Sequence, residues 1–184
     1  MESNAVFERI ENLALSLGAY RASVIPVENI QTDAAFRDMC AANACGQYGK
    51  RWSCPPGCGS LDECAETLRS FRGGILVQTC GDIEDGFDFE AMMEIEQEHK
   101  EHFSEMHDTL LEKGIKVLAL GAGCCTICPK CTYPDSPCRF PERAVASMEA
   151  FGMVVLEVCK ANGLQYYYGA DRMAYTSCFL IAGE

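Results

Sequence analysis

Thirteen of the 184 residues are cysteines, and nine of them fall into two short stretches whose spacing suits metal ligation. The stronger is Cys125, Cys128 and Cys131 at two-residue gaps, with Cys138 seven positions on. Three thiols at that spacing on one loop can all turn inward and hold three iron corners of one cubane face. A fourth cysteine then completes the set. Zinc more often takes its four thiolates as two separated Cys-x2-Cys pairs, so the triple spacing favours an iron–sulfur cluster, with zinc as the alternative. Pro129, Pro134 and Pro137 stiffen the loop and lower the entropy of ordering it. Cys124 is adjacent to Cys125, and two neighbouring side chains rarely enter one cluster, so Cys124 reads as a bystander.

The second stretch is Cys40, Cys45, Cys54 and Cys58, with Pro55, Pro56 and Gly57 between the last two. Glycines at 46, 49, 57 and 59 let backbone approach sulfur and donate N–H bonds, one of the levers on a cluster's potential. The fourth ligand is open between Cys58 and Cys64. The latter lies in the first turn of a helix announced by Ser60 and Glu63, where the helix dipole favours an anionic group. Cys80, Cys159 and Cys178 sit in strand or helix patterns and read as small buried hydrophobes.

Rival chemistries are poorly served. His99 and His102 lie three apart rather than the four of a zincin helix, and His99 falls on an apolar helix face, as a core histidine does. Gly121-Ala122-Gly123 follows a strand pattern but has Thr126 at the third glycine position of a dinucleotide fingerprint. With 15 Lys and Arg against 27 Asp and Glu, the net charge of −12 opposes a nucleic-acid partner. No apolar run reaches a membrane span. The N-terminus has no signal-peptide order, and the cysteine count is odd. The expected compartment is therefore a reducing cytoplasm rather than a disulfide-forming one.

The elements that must position these thiols read as alternating helices and strands. A first helix is capped at Ser3 or Asn4, buries Phe7, Ile10, Ala14 and Leu17, and stops at Gly18. Strands follow at 22–30, 75–80 and 115–120. A helix at 61–69 precedes the second strand, and a long helix at 87–112, with stripe Met92, Glu96, His99, Phe103, Met106 and Leu110, precedes the third. A helix at 143–162 and a hairpin over 166–181 complete the chain. Trp52 and the Tyr166–Tyr168 run read as core, with shielding of a cluster as the alternative. The expected fold is one α/β domain spanning 1–184, a mixed or mostly parallel sheet of about five strands flanked by helices, with two cysteine-rich metal-binding loops. Each loop follows a strand, so parallel strands would place both at one sheet edge.

The order of these motifs resembles a prokaryotic family of predicted metal-binding proteins, domain-of-unknown-function family 2284. The residues that carry the resemblance are Cys45 through Pro56, Ser60 through Cys64, Phe87 through Glu90, Cys128 through Pro134, Pro137 through Glu142, Ser147 through Ala150 and Tyr166 through Gly169. The resemblance implies an iron–sulfur protein of an anaerobe, with Cys40, Cys45, Cys54, Cys125, Cys128, Cys131 and Cys138 as ligands and Cys64 preferred over Cys58. It names no reaction. The expectation is two [4Fe–4S] clusters in a one-electron carrier or redox subunit whose acidic surface meets a basic partner patch. The alternatives are an enzyme, its substrate held at one cluster by Glu, His or Arg139, and a zinc or metal sensor or storage module.

Overall fold

The computed structural model describes the backbone of residues 2–182 and the side chains of residues 5–182. Its strands are β1 (Arg21–Pro26), β2 (Gly73–Asp82), β3 (Val117–Gly121), β4 (Ala146–Ser147) and β5 (Arg172–Ile181), and its helices are α1 (Glu2–Ser16), α2 (Ala34–Ala41), α3 (Leu61–Arg69), α4 (Phe89–Glu112) and α5 (Val155–Ala161). They build one mixed five-stranded sheet in the order β1-β2-β5-β3-β4. β1 with β2, β2 with β5 and β5 with β3 run antiparallel, and only β3 with β4 runs parallel. No described helix is long and apolar enough to cross a membrane.

Period-two alternation along the strands supplies both layers of the core. Ile75, Val77, Phe179 and Ile181 point to one face, where Ile10 and Ala14 of α1 and Phe103, Met106 and Leu110 of α4 cover them. Leu76, Cys178 and Leu180 point to the other, against Leu68 of α3, Met148, Met153 and Val158. Cys159 and Cys178 are buried as expected, whereas Cys80 is only half-buried. Gly73 and Gly74, just before the strand expected at 75–80, lie inside β2. A Cβ on Gly73 would meet the Ile25 carbonyl oxygen at 2.6 Å, so the neighbouring backbone needs glycine there.

Several expected boundaries move. The helix starts at Glu2, so Ser3 and Asn4 lie within it instead of capping it, and their side chains fall outside the described residues. The strand expected to run to Ile30 stops at Pro26, and Val27–Asn29 forms a 3-10 turn. The helix expected over 143–162 is broken. Ala146 and Ser147 pair with β3, Glu149–Phe151 form a 3-10 turn, and Gly152 at φ +75° ends that turn before α5. The expected hairpin is a single strand, β5, because its pairing partners are β2 and β3 rather than residues 166–170. Tyr166 and Tyr167 are exposed, while Tyr168 donates its hydroxyl to the side-chain oxygen of buried Gln78 at 2.9 Å.

His99 is the core histidine its position suggests. Its ring lies between Thr79 Oγ1 at 3.0 Å and Ser177 Oγ at 2.6 Å. Burial, followed by the nearby His102 and Lys100, pushes its pKa down to about 4. An unfolded histidine titrates near 6.5, so between pH 6.5 and 4 the unfolded chain takes up a proton that the folded chain refuses. Stability is therefore expected to fall as pH drops through that window, by about 3 kcal/mol from this residue, and to level off below it. The comparison to make is urea unfolding at pH 7 and pH 4.5 for the parent chain and His99→Gln. The variant should show a shallower pH dependence, and equal dependences would remove His99 as its source.

Candidate metal centre

The second cysteine loop leaves β3 at Gly121 and returns to β4 at Ala146. Within it, Cys125, Cys128, Cys131 and Cys138 all line one cavity. Arg51 and Trp52 from the first loop complete its wall. Cys124 does not line that cavity but a neighbouring one. Around Cys131, burial works against the thiolate, but N–H groups of Tyr133, Trp52 and Thr132, with Arg51 nearby, outweigh it and bring the pKa below the ordinary thiol value.

The first set is placed by α2, a helix the sequence pattern did not reveal. Asp33 caps it by accepting from the Ala35 N–H at 2.8 Å, and Cys40 occupies its last turn. Ser60 and Glu63 form the expected reciprocal capping box at the start of α3, which carries Cys64. Between these helices Cys45 is exposed, Cys54 buried and Cys58 half-buried. Burial, then the neighbouring Cys124, pushes Cys54 up to about 11. Burial also raises Cys40, against the pull of Arg37.

Arg37, like Arg51, stands beside candidate ligand thiols and was missed by the sequence reading. Its guanidinium donates to the carbonyls of Ala150 and Gly59, the latter at 2.5 Å, and reaches Cys58 Sγ at 3.4 Å and Cys64 Sγ at 3.6 Å. A hydrogen bond from Cys64 and then this cation hold the Cys58 pKa at about 7, and the same pairing raises Cys64. Reading Asp33 as a helix cap would have put Arg37 and Cys40 one turn apart on the same helix, which was the available signal.

The two sets meet. An Arg51 N–H donates to the Cys125 carbonyl at 2.8 Å, the Cys125 N–H donates to Ser53 Oγ at 3.4 Å, and Trp52 Nε1–H donates to the Ser136 carbonyl at 3.0 Å. Trp52 also packs edge-on against Tyr133, ring centroids 4.9 Å apart. Sequence reasoning reached proximity from parallel strands, but β1 and β3 run in opposite directions. The contact arises because the chain after β1 runs back along the sheet face, where Thr32 bridges Met153 and α2 packs on the turn at 149–151. Among the described residues, no three His, Cys, Asp or Glu side chains converge as they would around one ion.

Comparison with protein families matches residues 23–181 to predicted metal-binding protein, domain-of-unknown-function family 2284. The chain belongs to this family. Searches of curated proteins and of solved structures found no match. The family's description agrees with a chain of thirteen cysteines. In this member of family 2284 the two sets of thiols sit on separate excursions from the sheet, one between β1 and β2 and one between β3 and β4, and Arg51 and Trp52 fasten them together.

Proposed function

We propose that the protein holds two [4Fe–4S] clusters and serves as a one-electron carrier or redox subunit. The observation that carries the reading is the cavity lined by Cys125, Cys128, Cys131 and Cys138. Its donor set is all thiol, as cubane ligation requires, and backbone N–H groups reach the Cys131 sulfur. Cys40, Cys45 and Cys54 would hold the other cluster. Cys58 is the better fourth donor there, because it is the member of the Cys58–Cys64 pair favoured as thiolate, whereas Cys64 packs in the core with Leu68 and Met148. Clusters of this kind accept and release single electrons. Arg37 places positive charge and N–H donors against the first set, and Trp52 lines the cavity of the second.

The partner expected from this reading is a redox protein with a basic patch. The net charge of −12 supports that, as do exposed Phe89 and Met93 beside Glu90 and Glu94 on α4. The deciding measurement is metal and acid-labile sulfide content with an absorption spectrum after anaerobic purification. The expected result is iron and sulfide in equal amounts, about eight of each per chain. Zinc without sulfide would reverse the assignment.

A further inference from the structure

A larger cavity, about 110 Å³ against about 20 Å³ for the thiol-lined one, lies between α4 and the second cysteine loop. It shares Cys125 and Ile127 with the thiol-lined cavity, so these two side chains form the partition between them. Its volume is below the ~300 Å³ of drug-sized sites, so the ligand it admits is a small one. Its lining is unusual for this chain. Acidic residues outnumber basic ones 27 to 15, yet no Asp or Glu lines this cavity, while Lys100, His107 and Arg143 do. The apolar share comes from Phe103, Val145 and Ile127.

The strength of the positive charge limits the ligand. Lys100 Nζ is paired with Glu96 at 2.6 Å, and Arg143 donates to both carboxylate oxygens of Asp108 at 2.6 and 2.7 Å. Both cations are partly neutralised from outside the cavity, which suits one negative charge and not a polyphosphate. His99 at the inner end has both ring nitrogens occupied by Thr79 and Ser177, so it offers a surface and not a charge.

We propose that this cavity binds a small organic monocarboxylate with an apolar body, its carboxylate toward Lys100, His107 and Arg143 and its body against Phe103, Val145 and Ile127. That such a molecule is a redox substrate rests on the cluster assignment above, but its binding does not.

The test is fluorine NMR of 4-fluorobenzoate with the anaerobically purified chain, iron being measured on the same sample. Saturable broadening is expected, with the neutral 4-fluorobenzamide binding far more weakly. Lys100→Glu, on a half-exposed helix position, should weaken 4-fluorobenzoate about tenfold and leave the iron content unchanged. Val145→Trp, which fills the cavity, should abolish binding while retaining the parent circular dichroism. If that variant fails to fold, Lys100→Glu decides alone. No binding to the parent chain, equal binding of the amide, or unchanged affinity in Lys100→Glu would each overturn the proposal. Iron present without carboxylate binding would leave the cluster assignment standing. Binding without iron would do the reverse.

Discussion

Cys128→Ser, purified without oxygen, is expected to carry about half the iron and half the sulfide of the parent chain. Cys128 lines the second-loop cavity with three other thiols, and a cubane held by three thiolates and a weaker oxygen donor is expected to be lost during purification. The first set contains none of the second loop's cysteines, so its share should remain. Cys124→Ser is the control. It alters a thiol outside that cavity and should keep nearly all the iron. Cys58→Ala and Cys64→Ala extend the same assay to the first set, where loss is expected from Cys58→Ala. Iron lost entirely in Cys128→Ser, or retained in full, would defeat the picture of two independent sets.

The largest expected effect on stability is at Phe179. Its side chain is fully buried at the middle of the sheet and stacks on Phe103 with ring centroids 4.5 Å apart. β5 is held on both sides, by β2 and β3, so the backbone around position 179 has little freedom to close a cavity. Phe179→Ala should therefore cost about 3–5 kcal/mol, the transfer of the ring plus the void it leaves. Urea unfolding reads this as a lower midpoint with an unchanged slope. Phe89→Ala, on an exposed ring, should change stability by less than about 0.5 kcal/mol.

What could be read from the chain was local. The Ser60–Glu63 capping box, the α4 register through His99, Phe103, Met106 and Leu110, and the apolar run of the strand at 75–80 all depend on residues within a few positions of each other, and each is present. At its N-terminal end the α4 stripe buries Ile95 where Glu96 was expected, a one-residue drift. α2 escaped notice because its eight residues bury no side chain, so it leaves no apolar period. The break at Gly152 was hidden because Met148, Phe151, Val155 and Val158 are all at least as buried as a continuous helix would make them, through different elements. Strand directions were beyond reach, since the pairings that set them join residues as distant as Gly73 and Ile181. For the site, spacing brought out the thiols themselves. Of the side chains that join them, Arg51 and Trp52 act across the fold and leave no spacing to read, while Arg37 could be reached only by first recognising α2.

The place of β5 has a consequence for the order in which the molecule is made. It is the last strand along the chain but the third across the sheet, joining the β1–β2 pair to the β3–β4 pair. One cysteine loop belongs to each pair. During synthesis both loops emerge before the strand that fixes the distance between them, and each pair alone exposes an unpaired edge and half a core. Maturation is thus a race between closure of the sheet and capture of metal by thiols that are still accessible. Loading ahead of β5 would fill each loop separately. Loading afterwards would meet two loops already joined by Arg51 and Trp52.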